Sequence, residues 1–250
     1  ELFKHFLNFY ELNLKARKKI KFKQKFYLGL NIKNKQFLNL DINKFSSYEG
    51  FYVFNGPSPL LNFSKQIYEN PKIKVIDSYL YDFYKSFKPK SYGELYGLKK
   101  TNRLSDISSF YDFKPWIHSF PNTQTMDKGI FGPVDKKEIL HRFLRIKNII
   151  SNLRKYGYAP TKVDIIKGYL LISKDDYRFL ITSGHHRIAA MKAINFYNPG
   201  KFKDVLVKID SIKNVNNAFY EKDIDRWPAV KENFCSIEEA RELFYKFFEV

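Results

Sequence analysis

The most regular hydrophobic pattern in the chain begins at Lys136. From there apolar residues step by four, three, four and three positions, which places them on one face of a helix. They are Ile139, Phe143, Ile146, Ile150 and Leu153. Gly157 follows the last of them, and a glycine just past the final apolar position is a common helix end. The pattern predicts one long amphipathic helix that stops at Gly157.

Short runs of branched and aromatic residues come next and predict strands. The runs cover residues 163–166, 169–172, 177–181 and 205–209. Residues 174–176 separate two of these runs and predict the turn of a hairpin. Gly184 then breaks the strand pattern, and the residues from His185 to Ala193 favour a helix. The order of helix, strands, glycine turn, helix and strand predicts a compact α+β domain with a mixed sheet.

The regions on either side of this domain are predicted to be mostly helical. Pro59 fits the first turn of a helix capped by Ser58, and the residues from Ser78 to Phe87 form a second segment with one apolar side. From Glu221 onward the chain is acidic. We therefore expect a helical accessory region over 1–128, the α+β domain over 129–215 and a helical C-terminal extension over 216–250.

Composition narrows the class of protein. The 250 residues include 44 Lys and Arg against 26 Asp and Glu, a formal net charge of +18, but 44% are hydrophobic, so the chain is no disordered polycation. The single cysteine, Cys235, can form neither an internal disulfide nor a cysteine-based zinc site, which makes a cytoplasmic, reducing location the default expectation. No apolar run approaches the roughly 20 residues of a membrane span, and no signal-peptide pattern opens the chain.

The positive charge suggests a nucleic-acid partner, but it has a second explanation. Much of it comes from Lys in a chain that is also rich in Asn, Ile, Tyr and Phe, which is typical of a biased genome composition. Basic residues crowd the stretch from Lys15 to Lys25, where Phe22 and Phe26 are interleaved with them. That stretch fits base stacking, and it fits equally a strand with one wet and one packed face. Nucleic-acid binding there is an alternative and not the favoured expectation.

The most informative segment is Ser183-Gly184-His185-His186-Arg187. It lies where a predicted strand meets a predicted helix, so the glycine lets the backbone approach a ligand and the next residues carry unpaired helix N–H groups. The arginine can hold phosphate through two parallel hydrogen bonds, and the imidazoles can donate to phosphate oxygens or transfer protons. The segment predicts an anion site, with a helix cap and a surface histidine as the alternative. No metal site is expected, because adjacent helical residues point about 100° apart and no third ligand is near in sequence.

The segment from about Glu138 to Ile209 resembles the ParB/sulfiredoxin-like superfamily. The resemblance rests on a long helix followed by a segment ending at Pro160, a hairpin, the motif Gly-x-x-Arg-x-x-Ala that starts at Gly184, and the strand at 205–209. It implies the fold of that superfamily. It also implies that nucleotide phosphates bind the segment just described, which consists of Ser183, Gly184, His185, His186 and Arg187.

Particular residues distinguish the branches of the superfamily. Sulfiredoxins carry a cysteine inside this turn, whereas Cys235 lies far downstream. Chromosome-partitioning ParB proteins bind CTP through a more basic turn, and no helix-turn-helix pattern follows Ile209 here. The free serine kinases carry Asp-Gly-His-His-Arg, from which this chain differs only at Ser183. The resemblance favours a kinase that uses ATP or ADP with Mg²⁺, with CTP less favoured, and the missing Asp leaves the catalytic groups open.

A kinase of this kind needs a carboxylate that orients or deprotonates the acceptor hydroxyl. In the resembling kinases a glutamate upstream of the hairpin supplies it, which implies Glu138 here, with Asp135 in reserve. The implied catalytic residues are therefore Glu138, His185, His186 and Arg187, acting on a small hydroxylated substrate such as an amino acid, polyol or sugar. An acid in the first turn of a helix is also favoured by the helix dipole alone, so a structural Glu138 is the alternative.

Two flanking segments resemble larger proteins of unknown role that carry this domain near bacterial surface-polysaccharide genes. One runs from Lys114 to Pro133 and the other from Asp223 to Pro228. This weaker resemblance implies a place in cell-surface polysaccharide biosynthesis, either as a kinase or as a catalytically inert nucleotide-binding module. Trp116 and the nearby His118 are candidates for an acceptor pocket, and a packed loop is the alternative.

Overall fold

The computed structural model describes residues 37–47, 59–108, 113–121, 134–160, 165–210 and 218–248. A mixed six-stranded sheet consists of β1 (Phe37–Asp41), β2 (Phe45–Ser47), β3 (Ile166–Ile172), β4 (Tyr177–Ser183), β5 (Asp204–Ile209) and β6 (Ala218–Tyr220). The helices are α1 (Pro59–Glu69), α2 (Tyr79–Ser86), α3 (Tyr92–Tyr96), α4 (Lys136–Tyr156), α5 (His185–Tyr197), α6 (Pro228–Lys231) and α7 (Ile237–Tyr245). The protein is therefore a mixed α+β structure, as the sequence predicts.

Strand β3 is the centre of the sheet. β4 runs antiparallel along one edge of it, and the two form the predicted hairpin. Along the other edge, β5 pairs in parallel with the first half of β3 and β6 with the second half. The hairpin and the strand predicted at 205–209 are thus confirmed. Of the strand predicted at 163–166, Ile166 begins β3, and residues 163 and 164 lie outside the described part of the chain.

Strands β1 and β2 show that the sheet is curled. β1 pairs with β5 at one end of the strand order β1-β5-β3-β4-β2, and β2 pairs with β4 at the other end. Only the short 3-10 helix Ile42–Lys44 separates β1 from β2, so their facing ends, Asp41 and Phe45, lie at most about 14 Å apart. Four strand spacings in a flat sheet cover roughly 19 Å. The sheet must therefore curl until its outer strands approach each other.

Both faces of the sheet are buried, and each face has its own core. Leu170 and Phe179 belong to a first core that the sheet shares with α1, α2, α4 and α5. Their neighbours Tyr169 and Leu180 belong to a second core that includes α3 and α7. This double burial explains why residues 169–172 form an uninterrupted apolar run instead of alternating with polar residues.

The second core is built around Trp116, which is 1% exposed. The ring centroids of Trp227, Phe244 and Phe247 lie 5.5, 5.9 and 5.7 Å from that of Trp116. The indole N–H of Trp116 donates to the hydroxyl of Tyr169 at 3.3 Å. Trp116 and Trp227 therefore stabilise the packing of this face, which favours the packed-loop interpretation of the segments that carry them.

Helix α4 follows the predicted pattern, and all five residues of its apolar face are buried. Asp135 caps its N-terminus by accepting a hydrogen bond from the amide of Glu138 at 2.8 Å. Gly157 ends it with a φ of 72°. Because the buried face sets the rotation of the helix about its axis, Glu138, Arg142 and Arg145 lie together along one side of it.

Some predictions fall outside the described residues. They concern the basic stretch from Lys15 to Lys25, the capping residue Ser58 and the segment 129–133. The three predicted parts of the chain each contribute strands to the one sheet, and their boundaries stay a prediction. None of the helices in the described ranges has the length and apolar character that a membrane crossing requires.

Two substitutions on α4 test its orientation. Ile146 is fully buried in the first core, whereas Leu144 is 49% exposed. We expect Ile146→Ala to lower the free energy of unfolding by about 2–5 kcal/mol, because it leaves a cavity against the sheet. Leu144→Ala should change it by less than about 0.5 kcal/mol. Urea unfolding followed by circular dichroism measures both, and equal losses would contradict the orientation of α4.

Candidate functional site

The predicted anion-binding segment, here called the glycine turn (residues 183–187), lies where β4 ends and α5 begins. Gly184 has a φ of 105°, which L side chains rarely adopt. A Cβ at this position would lie 2.8 Å from Cγ1 of Ile166, the first residue of β3. The backbone conformation and the close contact both favour glycine here. The contact also sets the start of α5 directly against the start of β3.

The first turn of α5 leaves backbone N–H groups available. The amides of Arg187 and Ile188 donate to the carbonyl of Gly184 at 3.0 and 3.1 Å, and no side chain caps the helix. Among the described residues, the amides of His185 and His186 have no hydrogen-bond partner. The helix dipole adds partial positive charge at this end. The start of α5 therefore favours a negatively charged ligand.

Each histidine of the turn has one buried ring nitrogen without a hydrogen-bond partner: Nδ1 in His185 and Nε2 in His186. Burial is the largest of the effects that lower the pKa of His186 to about 3, and the neighbouring groups Arg145, His185, Arg142 and Arg187 contribute the rest. The ring of His186 is therefore neutral near pH 7. An unpaired buried polar atom costs about 1–3 kcal/mol and is uncommon in native proteins, so two of them at one turn call for a functional explanation.

Three arginines contribute positive charge beside His186. Arg187 follows it in α5, whereas Arg142 and Arg145 come from α4, which packs against α5. The sequence motif predicts Arg187 but not the two arginines of α4. A signal for them was present: they follow Glu138 at spacings of four and three, next to the apolar face of the same predicted helix.

Glu138, the predicted catalytic carboxylate, is paired with Arg142. Its Oε1 accepts a hydrogen bond from Nε of Arg142 at 2.7 Å. Nη1 of the same guanidinium donates to the hydroxyl of Tyr84 in α2 at 2.8 Å. These contacts hold Arg142 where its charge acts on His186. A catalytic role for Glu138 stays a prediction, and Asp135 serves as the cap of α4.

A second carboxylate, Asp210, lies beside the glycine turn and belongs to no motif of the sequence. Its Oδ2 accepts a hydrogen bond from the hydroxyl of Thr182 at 2.7 Å, and its amide donates to the carbonyl of Gly168 at 2.7 Å. Thr182 precedes Gly184 by two residues. Nothing in the local sequence distinguishes Asp210, because only the parallel pairing of β3 with β5 brings it next to β4.

Other candidate residues lie away from the glycine turn. Trp116 belongs to the second core, and Nδ1 of His118 accepts a hydrogen bond from the amide of Lys114 at 3.1 Å. Cys235 also lies in the second core, where burial raises the pKa of its thiol to about 12. In the described ranges, no group of three or more His, Cys, Asp or Glu side chains could hold a metal ion.

A surface pocket lies at the opposite end of α5. It is lined by Asn62, Lys65, Gln66, Glu69, Tyr79, Phe196 and Tyr197. Because a helix rises 1.5 Å per residue, Tyr197 lies about 18 Å along the axis from His185. This pocket is therefore separate from the glycine turn.

No protein-family model, curated protein or solved structure matches the chain.

Gly184→Ala tests the close approach at the turn. We expect it to lower the free energy of unfolding by about 2–4 kcal/mol, because it adds both backbone strain and a contact with Ile166. Gly97→Ala is the matched control: Gly97 has a φ of 62°, but a Cβ there would meet nothing within 4 Å. The control should lose about 1 kcal/mol from strain alone. Chemical unfolding compares the variants, and a control loss as large as that of Gly184→Ala would refute the close approach.

The buried state of His186 predicts a loss of stability in acid. Its pKa is 6.5 in the unfolded chain and about 3 in the folded one. As the pH falls below 6.5, the unfolded chain takes up a proton that the folded protein does not, so stability is lost down to about pH 3. Between pH 7 and pH 5 we expect the wild type to lose about 2 kcal/mol more than His186→Asn does.

The control for this measurement is His141→Asn, since the side chain of His141 is 71% exposed. The control should keep the acid dependence of the wild type in urea unfolding at the two pH values. An unchanged acid dependence in His186→Asn would show that His186 is not buried in its neutral form.

Proposed function

We propose that the chain is a nucleotide-dependent phosphotransferase with a ParB/sulfiredoxin-like fold. In this proposal it is a small-molecule kinase that moves a phosphoryl group from ATP or ADP to the hydroxyl of an amino acid, polyol or sugar. The observation that carries the proposal is the combination at the start of α5. Two helix amides and two buried imidazole nitrogens without partners lie beside the charges of three arginines. Phosphate is the ligand for which helix amides and guanidinium groups are best suited.

The order of elements supports the fold assignment. Helix α4, the hairpin of β3 and β4, the glycine turn, α5 and β5 follow one another in the order on which the superfamily resemblance rests. In that resemblance the turn between the hairpin and the next helix holds the phosphates. Gly184 is the residue in this turn whose conformation requires glycine.

In this proposal, different groups of the site bind the phosphates and stabilise the charge during transfer. The amides of His185 and His186, together with the guanidinium of Arg187, hold the terminal phosphates. Arg142 and Arg145 reduce the charge repulsion that opposes transfer of a phosphoryl group. Arg142 is held by its hydrogen bonds to Glu138 and Tyr84 before the ligand arrives, so this charge needs little reorganisation when the phosphoryl group moves.

Two roles remain in this proposal, binding of Mg²⁺ and activation of the acceptor hydroxyl, and carboxylates near the site suit both. Mg²⁺ is usually bound by phosphate oxygens, waters and only one or two carboxylates, so it needs no protein cage. Asp210, which is bonded to Thr182 beside the turn, is the carboxylate best placed for that role. Glu138 stays the candidate base for the acceptor hydroxyl, and its ion pair with Arg142 connects it to the phosphate-holding charges.

The proposed substrates indicate the compartment and the process in which the protein acts. Transfer from ATP or ADP needs a compartment that supplies these nucleotides, so we propose a cytoplasmic location. Phosphorylation of a sugar or polyol precursor would place the activity in cell-surface polysaccharide biosynthesis, the context that the flanking segments resemble.

Titration calorimetry with ATP, ADP and CTP, each with Mg²⁺, tests the proposal. We expect at least one of them to bind, and Arg187→Ala to weaken that binding by tenfold or more, about 1.4 kcal/mol, because a charged hydrogen bond to phosphate is lost. Arg154→Ala is the control, since Arg154 lies near the far end of α4 with its guanidinium over the ring of Tyr68. It should bind nucleotide like the wild type.

The outcomes separate the classes of function. Absence of binding by all three nucleotides would refute the proposal. If a nucleotide binds, an acceptor screen for ADP or AMP release distinguishes a kinase from an inert nucleotide-binding module.

A further inference from the structure

The pocket at the C-terminal end of α5 has a polar floor. Four residues of α1 form it, and they recur at spacings of three, one and three, which places them on one side of the helix. They are Asn62, Lys65, Gln66 and Glu69. From the first to the last, the polar floor extends about 10 Å along the helix axis. It carries one positive and one negative charge, so its net charge is zero.

Aromatic rings form the walls on both sides of this floor. Tyr79, at the start of α2, lines one side, and Phe196 and Tyr197, in the last turn of α5, line the other. Phe196 is 62% exposed, and Nζ of Lys65 lies 3.9 Å from its ring centroid. A large exposed aromatic ring beside a polar floor is typical of a ligand surface, since the ring offers apolar area without burying a polar group.

Hydrogen bonds and stacking hold these groups in place. Oε1 of Gln66 accepts from the amide of Tyr79 at 2.9 Å, and Oε1 of Glu69 accepts from the hydroxyl of Tyr197 at 2.5 Å. The ring of Tyr197 stacks on that of Tyr68 at 4.5 Å with an interplanar angle of 2°. The pocket is therefore largely formed before any ligand arrives, which reduces the entropy cost of binding.

Several polar groups of the floor keep hydrogen-bonding capacity. Among the described residues, the carboxamide of Asn62 has no hydrogen-bond partner, and the side-chain hydrogen bonds of Gln66 and Glu69 use one oxygen of each. The amide N–H groups of Gln66 and the second carboxylate oxygen of Glu69 are thus available to a ligand. The floor offers both donors and acceptors along its length.

We propose that this pocket binds a neutral saccharide of about two pyranose units. The aromatic walls suit the apolar C–H faces of sugar rings, and the mixed donors and acceptors of the floor suit hydroxyl groups, which both donate and accept. A floor with zero net charge favours an uncharged ligand, and its length of about 10 Å exceeds one sugar ring. A nucleobase would also stack on the walls, but it has too few polar groups to pair along the whole floor.

The saccharide pocket goes beyond the proposed kinase activity. It lies about 18 Å along α5 from the glycine turn, too far for direct transfer of a phosphoryl group between ligands at the two places. The pocket therefore binds a sugar and does not react with it.

Saturation-transfer NMR on the whole chain tests the proposal, because it detects weak binding. The probes are maltose, cellobiose, lactose and N,N′-diacetylchitobiose, with adenosine as the comparison. We expect transfer to the ring C–H protons of at least one disaccharide. Phe196→Ala and Asn62→Ala should each raise its dissociation constant by about tenfold, because one removes an aromatic wall and the other removes an unpaired floor group.

The matched control is Tyr156→Ala, which removes an aromatic ring that is 67% exposed at the end of α4. It should bind the sugar like the wild type. Absence of transfer to all four disaccharides, or unchanged binding in Phe196→Ala, would overturn the proposal. Stronger binding of adenosine than of any sugar would overturn the ligand class. ATP with Mg²⁺ should not displace the sugar, and displacement would overturn the proposal of a separate saccharide pocket. Failure of ATP to bind at all would count only against the proposed kinase activity.

Discussion

The burial of strand β3, in which every residue except Lys167 is buried, is the constraint on which the rest of the structure depends. β3 is paired along both edges and covered on both faces, so no part of it can shift without breaking a ladder or a core. Gly168 marks how closely its neighbours approach, since a Cβ there would lie 2.1 Å from the carbonyl oxygen of Leu180. The helices and strands around β3 are held in position by this one apolar strand.

The position of the glycine turn is set by its contact with β3. Gly184 contacts Ile166 at the first residue of that strand, so α5 starts at a defined point above the sheet. α4 packs on the same core, and its buried face directs Arg142 and Arg145 toward the start of α5. Apolar packing therefore holds these positive side chains close together in spite of their mutual repulsion. Its electrostatic cost is offset locally, because Glu138 neutralises Arg142 and His186 stays uncharged.

The two candidate binding regions lie at opposite ends of α5 and differ in chemistry. The start of the helix combines amides, imidazoles and guanidinium groups, which suits phosphate. The end of the helix combines aromatic rings with a floor of zero net charge, which suits an uncharged ligand. α1 packs against α5 and supplies that floor from its polar side, while its apolar side belongs to the first core. One packed helix pair thus supports a pocket far from the turn.

Features that depend on local spacing can be predicted from the order of the residues alone. The apolar face of α4, its end at Gly157, the hairpin and the glycine at the start of α5 all follow from residue types within a turn or two of each other, so the pattern predicts them. Contacts between residues far apart in the chain become visible only in the folded protein. The curl of the sheet, the two arginines beside His186 and the contact of Asp210 with Thr182 depend on strand register and helix rotation. Those are set by how the whole core packs, and no local pattern encodes them.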